Sequence, residues 1–573
     1  FFSCKFFDFY PVPHFHFVLL ASGLDNRQHK NLLNSYINKY TKIVKQCQYL
    51  PHKSAPRQTF ILRLKLDCIM EKLRRTIFFW TLVILFLITA PTVVLRARGY
   101  RFDFNRGVFV HSGSITIKSS PQNMDVNLNG ELIESKTLSR INSSYNISGL
   151  IPREYDVTIG SPDFQTWSKK IDVHSGLSTE LWNVILVRNS YEKIPYDSSG
   201  IGKFFISPKY KYVVLNQITD SGTEIKILDI KKKTVENIFP LPDDWELADD
   251  SRKENIEWSP EEDYLSVPVQ RDSSDSNTKE DASPGPKIEY AYFILDPTND
   301  SSFELSVFLG QSDIRNVRWD PKEKGFLFFQ KGSDLYRASI LDKNNLVLLA
   351  NSVSAYELSE TDVYYAQSPA QLVYKSSLDG QSDKAQVTNN FLEDFPKEIN
   401  KLIVYDEKRI AFLDSTNGLF IYNEGDNGNY FRKLSESTEG IQFSNDRKKL
   451  LYWNQNEISV YFLRDWDVQP TRSENEIQNI TRYSETLKNV QWFKDYEHVI
   501  FSVGPQIKII ELDSRDHRNS MDLPALENTS PLVIYNNSLE YLFFVDKQLG
   551  STSALYSIIF PERTGLFGIF PPP

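Results

Sequence analysis

The sequence predicts an all-β protein behind a single transmembrane helix. Three observations carry that prediction. An uncharged run of about twenty residues stretches from Thr76 to Leu95. Apolar and polar residues alternate in the stretch after it. A strand–turn–strand unit then recurs roughly every fifty residues to the end of the chain.

The run "TIFFWTLVILFLITAPTVVL" is long enough to span a bilayer core at about 1.5 Å per residue. It is apolar on every face and basic on both flanks, unlike a buried core helix. A cleaved signal peptide is the nearest rival, because Ile88–Ala90 reads as a small-residue cleavage site. Pro91 directly after it, and the continuation to Leu95, favour an uncleaved signal anchor. Lys72, Arg74 and Arg75 on one side balance Arg96, Arg98, Arg101 and Arg106 on the other, so flanking charge does not set the orientation. A very short N-terminus before the anchor and a large domain after it fit export of the large part.

A composition break lies just ahead of this run. The chain of 573 residues carries 65 Lys/Arg and 74 Asp/Glu, a net charge of −9. Residues 1–69 hold ten of those bases, three of those acids and all three cysteines (Cys4, Cys47 and Cys68). The first methionine is Met70, and from it onward 55 bases face 71 acids, a balance of about −16. The upstream stretch has no sustained helical or strand period. The break predicts that translation begins at Met70, and that residues 1–69 are translated upstream sequence or a disordered tail. From Met70 onward there is no cysteine, which excludes disulfides, thiol nucleophiles and cysteine-ligated metal there.

Ala97–Gly113, "ARGYRFDFNRGVFVHSG", reads as a basic and aromatic stalk whose rings suit the membrane interface, or as a partly ordered linker. Beyond it Ile115 and Ile117, then Met124, Val126 and Leu128, alternate with polar residues and run into Asn129-Gly130, a two-residue hairpin signal. Tyr155, Val157 and Ile159 follow, then Trp167, Ile171 and Val173, then Trp182, Val184 and Leu186. One apolar face per strand predicts a small antiparallel sandwich over 113–190. Ser119-Ser120-Pro121, Asn129-Gly130, Pro152 with Tyr155, and Trp167 stand in the order and spacing of the PEGA domain, which this segment resembles. It departs from that pattern at the naming motif, where "PQNM" (Pro121–Met124) stands, at Arg153 in place of a glycine, and at Asp163-Phe164. The resemblance implies a bacterial envelope module without catalysis.

From 191 to 562 the repeat takes over. "FFISPKYKYVVL" (Phe204–Leu215), "IEWSPEEDYLSV" (Ile256–Val267), "VRWDPKEKGFLFF" (Val317–Phe329), "IQFSNDRKKLLYW" (Ile441–Trp453) and "VQWFKDYEHVIFS" (Val490–Ser502) are the clear copies. Fainter ones start at Ala355, Ile403 and Val533. Each is strand, tight polar turn, strand, followed by a third strand such as "EIKILDI" or "QIKIIEL". One such sheet cannot bury both faces, and radial packing buries both, so the pattern predicts a seven- or eight-bladed β-propeller. The Trp-Ser-Pro-like element resembles the TolB-like propeller repeat. Trp258, Trp319 and Trp492 are expected as core residues between blades. "RDSSDSNTKEDASPGPK" (Arg271–Lys287) reads as a solvated loop between strands of the second unit, and 563–573 as a tail.

Motifs for chemistry are sparse. There is no His-Glu-x-x-His, no Gly-x-Ser-x-Gly and no phosphate-cradling loop. Four scattered histidines follow Met70: His111, His174, His498 and His517. "DSTNGLF" (Asp414–Phe420) reads as a hairpin loop. The acidic balance argues against nucleic acid. No catalytic, cofactor-binding or metal-binding residue is assigned, no cofactor is expected, and the ligand-binding residues are unknown. The expected protein is a single-pass bacterial cell-membrane protein (anchor 70–96, stalk 97–112) whose bulk lies outside the cytoplasm. It is expected to bind or scaffold an envelope protein, peptide or cell-wall glycan through tyrosine-rich surfaces, without catalysis. The alternative is a propeller-type hydrolase of surface glycans or peptides, built on a carboxylate pair.

Overall fold

The computed structural model describes residues 57–561 apart from 123, 135–136, 139–143, 249–253, 255, 274–286, 389–397, 426–427 and 548–551. The chain divides into two compact units, Phe1–Leu95 and Arg96–Pro573. Over its described residues the first is one helix, α1, Arg57–Ala97. It begins ahead of Met70, where the sequence reading found no helical period. Leu, Arg, Lys and Gln dominate that stretch, no Gly or Pro follows Pro56 until Pro91, and extending a nucleated helix is easy. Residues 1–56, the rest of the segment expected to be non-native or disordered, lie outside the described residues. Leu73–Ala97 is long and apolar enough to cross a membrane. Large apolar side chains such as Ile77, Phe78, Leu82 and Phe86 are exposed on it. Thr81, Thr89 and Thr92 each donate their hydroxyl to the carbonyl four residues back, so these polar groups are satisfied within the helix.

The second unit opens with a hairpin, Tyr100–Asp103 against Val108–His111, where the sequence reading placed a stalk. Phe102 packs edge-on against both Phe104 and Phe109, at 5.1 Å between ring centroids. Two four-stranded sheets follow. One runs Ser178–Ile185, Gly113–Ser120, Tyr145–Leu150, Thr137–Leu138; the other runs Glu131–Leu132, Asp125–Leu128, Glu154–Gly160, Trp167–Asp172. Their inner faces carry the predicted apolar alternation, with Ile115, Ile117, Val126, Val157, Ile159 and Trp167 buried. Asn129 and Gly130 turn the hairpin with φ of 52° and 82°, as their residue types require. Two expectations need correction. The sandwich is not wholly antiparallel, because Ser178–Ile185 pairs parallel to Gly113–Ser120. Trp182 is only half-buried, because a bulge between Leu181 and Val184 breaks the alternation and Leu181 takes the inward place.

Eight antiparallel sheets then follow among the described residues. The first four begin at Ile201–Ile206, Glu246–Leu247, Ile314–Trp319 and Val353–Leu358. The last four begin at Ile399–Asp406, Gly440–Phe443, Leu487–Trp492 and Val533–Asn536. All eight sequence copies fall on these sheets. The side chain that recurs after the first strand explains the repeat. Ser207 Oγ accepts from the N–H of Lys211 and Tyr212, at 3.2 and 3.0 Å, and Ser259 Oγ does the same for Asp263 and Tyr264. Asp320 Oδ1 accepts from Lys322 and Glu323, and Asn536 Oδ1 from Ser538 and Leu539. A short oxygen-bearing side chain satisfies turn donors that would otherwise be orphaned.

Packing between sheets is sequential and closes on itself. Buried clusters join sheets one and two (Ile227 with Trp258), two and three (Ile294 with Trp319), three and four, four and five, five and six, six and seven (Val460 with Trp492), and seven and eight. Phe543 and Val545 of sheet eight meet Phe204 and Val213 of sheet one. The strand Ile194–Pro195, ahead of the ring in sequence, pairs with Ser553–Ile559 and completes sheet eight. A closed ring of such sheets is a β-propeller. Trp258, Trp319 and Trp492 are buried between sheets as expected, and the Trp319 and Trp492 indoles donate at 3.0 Å to Glu257 and Gln442 carbonyls of the neighbouring sheet. Ser273 pairs with Lys287, so the polar insertion joins two paired strands; residues 274–286 lie outside the described residues.

Candidate functional site

The densest charged chemistry lies where the sandwich meets sheet seven of the ring. In the strand Trp167–Asp172, Trp167 and Ile171 point inward, and period-two geometry sends Lys169 inward between them. Its side chain is 0% exposed and sits 2.7 Å from Glu511 and 3.7 Å from Asp513, while Nζ donates at 2.8 Å to the Asp513 carbonyl. The Trp167 indole donates to the other Glu511 oxygen at 3.1 Å. The outer edge of this strand would expose unpaired backbone groups. Asn519 instead accepts from the Ser168 N–H at 3.3 Å and donates to its carbonyl at 3.1 Å, and Asp516 accepts from the Lys170 N–H at 3.0 Å. On the other sheet, Gln469 bonds Glu180 N–H and Ser178 carbonyl, and Arg515 donates at 2.8 Å to the Glu180 carbonyl.

Behind this junction lies a second charged group. The His498 ring holds the Asp495 carboxylate at 2.8 Å. Burial disfavours the imidazolium, but Asp495, with Glu511 and Glu497 behind it, holds the His498 pKa above its ordinary value. Burial likewise opposes the Asp495 charge, and His498 outweighs it, so that carboxyl lies below its usual range. Burial pushes the Glu497 carboxyl up in spite of Lys449, whose side chain is 0% exposed and lies 3.7 Å from the Trp466 ring. A cavity of about 30 Å³ reaches His498, Glu511 and Trp167, room for one water and no substrate. A wider cleft of about 580 Å³ runs along the same junction past His174, Lys170 and Arg472.

The first strands of several neighbouring sheets touch. Three charges there bridge sheets two, three and four. Arg318 Nε lies 3.0 Å from Glu257 Oε1, and Nη1 lies 2.8 Å from Glu357. Burial disfavours the guanidinium charge, but Glu257 and then Glu357 keep its pKa above normal. Burial pushes Glu257 up despite Arg318. Two carboxylates do converge here, but on a guanidinium rather than on free space.

A third cleft, about 360 Å³, opens between sheets five and six beside Trp453, Ser437 and Asn479.

The sequence assigned no site residue. Of the four histidines, His498 is buried in the pair described, His517 pairs with Asp516 at 2.9 Å on the surface, His174 lines the junction cleft, and His111 packs edge-on against Tyr100. Asp414 heads a hairpin turn, accepting from the N–H groups of Thr416 and Gly418, as the sequence implied. No group of three or more His, Cys, Asp and Glu is placed to hold a metal among the described residues. The Lys169 network was missed although one signal existed, a lysine on the inward face of an apolar strand. Its partners Glu511 and Asp513 lie over 340 residues away in sequence, beyond any local pattern.

No protein-family model matches the chain, and no curated protein matches it. Among solved structures, the Dos1 propeller is similar at 11% identity, covering 64% of this chain and 95% of that one, with a TM-score of 0.40. Hsv2 of Kluyveromyces lactis is similar at 9% identity over 57% of this chain and 98% of that one, with a TM-score of 0.35. Dipeptidyl peptidase 4 of Porphyromonas gingivalis is similar at 8% identity over 63% and 58%, with a TM-score of 0.39. Likeness at this level carries no argument about function; the propeller assignment rests on the closed ring of sheets.

Proposed function

We propose that this chain is a single-pass, membrane-anchored binding or scaffold protein of the bacterial cell envelope. In this reading an eight-bladed ring with a PEGA-like sandwich fixed to it stands outside the membrane and presents surfaces to a protein, peptide or cell-wall glycan, without catalysis. The observation that carries it is the junction around Lys169, where both edges of the sandwich are capped by side chains of the ring. Such a junction ties the sandwich to the ring through many bonds, which suits holding a partner at a fixed place. The two-residue turn at Asn129-Gly130 and the buried Trp167 support the PEGA-like assignment, and the serine- and aspartate-capped turns support a TolB-like repeat.

A hydrolase reading has less support. The converging carboxylates Glu257 and Glu357 are held by Arg318, and the cavity at His498 admits no substrate. The test is retention of the detergent-solubilised full chain on isolated cell-wall and envelope material across a salt series. Retention through moderate ionic strength, with no release of glycan or peptide fragments, is expected. Release of fragments would establish the hydrolase, and absence of retention at any salt would remove the platform reading.

A further inference from the structure

The hairpin that opens the second unit leaves three phenyl rings exposed. Phe102 and Phe109 are register partners and share one face, and Phe104, 86% exposed, packs edge-on against Phe102 just past the strand end. Arg101 alternates to the other face and reaches the sandwich, where a Cβ at residue 149 would lie 2.8 Å from its Nη2. The turn is ordered by Asp103, whose Oδ1 accepts from the N–H groups of Asn105 and Arg106 at 2.9 and 3.3 Å, and Gly107 supplies a φ of 67°. The rings thus stand on a fixed frame, which lowers the entropic cost of docking them.

Position and charge point to what covers these rings. Only Arg98 and Gly99 separate the hairpin from Leu73–Ala97, the stretch long and apolar enough to cross a membrane. At full extension Phe102 lies within about 18 Å of Ala97, and Phe104 within about 25 Å. When Leu73–Ala97 spans a bilayer, the rings are therefore within reach of its surface. Residues 96–113 also hold four arginines, Arg96, Arg98, Arg101 and Arg106, against one acid, Asp103, in a chain that is acidic from Met70 onward. The Arg106 side chain is 66% exposed. Apolar rings bordered by arginines match a phospholipid surface, where rings enter the acyl boundary and guanidinium groups meet phosphates. A second copy of the chain would instead bring a second set of arginines to the same contact.

We propose that this hairpin docks on the phospholipid surface of the membrane that Leu73–Ala97 crosses, with Phe102, Phe104 and Phe109 at the acyl boundary and Arg98 and Arg106 among the phosphates. The proposal rests on the membrane-anchored reading and adds a second hold on the bilayer beside the helix. The test uses the full chain with Cys4→Ser, Cys47→Ser and Cys68→Ser, and one new cysteine, Asn105→Cys at the hairpin tip or Leu85→Cys in the span. Each is labelled with nitrobenzoxadiazole and reconstituted in vesicles of phosphatidylethanolamine and phosphatidylglycerol that carry a nitroxide at the top or the middle of the acyl chain. The probe at 105 is expected to be quenched by the upper nitroxide and the probe at 85 by the middle one. Adding Phe104→Ser and Phe109→Ser should lower quenching at 105 by about twofold or more and leave that at 85 unchanged. Phe104→Ser alone, at the most exposed ring, should act in the same direction if the double variant misfolds. Quenching at 85 without quenching at 105, or quenching at 105 untouched by these variants, would overturn the proposal and leave the span standing. Emission at 105 that shifts to the blue without quenching would mean that the rings meet protein, a second copy included, and would overturn it too. No quenching at 85 would remove the span itself, and the proposal with it.

Discussion

At His498 two effects compete, and the balance sets a pH dependence. Burial disfavours the imidazolium, but Asp495 and the carboxylates behind it raise the folded pKa above the usual value. A raised folded pKa gives stability that is complete below the unfolded value, about 6.5, and is lost as pH rises through the folded value. The Asp495 carboxyl is depressed, so its contribution is complete above its unfolded value, about 3.9, and is lost as pH falls through the folded one. The pair is therefore strongest at mildly acidic pH. His498→Asn should destabilise by about 3 kcal/mol at about pH 5.5 and by clearly less at about pH 8.5. Urea unfolding at both values checks this, and an equal loss at both would contradict it. Lys169→Ala should cost about 3–5 kcal/mol, because it leaves Glu511 and Asp513 buried without their cation. Thermal unfolding reads that loss, and a change within error would mean that the network is not structural.

At the level of elements, much was legible in the sequence because two local rules hold. Period-two alternation placed Ile115, Val157 and Trp167 in the sandwich core, and the Ser, Asp or Asn after most first strands marked the repeat through its turn hydrogen bonds. What was not legible lacks a local signal. The closing strand Ile194–Pro195 is two residues long, and outer strands such as Ala385–Gln386 are exposed and so carry no apolar pattern. The bulge that turns Trp182 out depends on pairing with Gly113–Ser120, over sixty residues away. Ile314–Trp319 likewise gave no hint that Arg318 would join carboxylates of two other sheets. Gly130→Ala should cost about 1 kcal/mol, since φ there is 82°. Asn519→Ala should remove the cap on the strand Trp167–Asp172 and cost about 1–3 kcal/mol. Hydrogen exchange at Ser168 should rise in that variant before exchange in the ring does; unchanged exchange there would show that the strand edge is protected by other contacts.

For the whole molecule, ring closure is a property that no single element carries. Closure was implied only by repeat number and spacing; the meeting of Phe543 with Phe204 makes it physical. The proposed attachment rests on Leu73–Ala97, which is long and apolar enough to cross a membrane, while flanking arginines on both sides leave the side of the membrane open to experiment. The cleft between sheets five and six could not be read from sequence, because Ser437 and Asn479 come together only through packing of adjacent sheets. The most direct test of an exported platform is protease treatment of intact spheroplasts, followed by detection of the second unit. The account predicts digestion of Arg96–Pro573 without lysis, leaving a membrane-embedded fragment that contains Leu73–Leu95. Full protection of the second unit until the membrane is broken would place it in the cytoplasm and contradict the account.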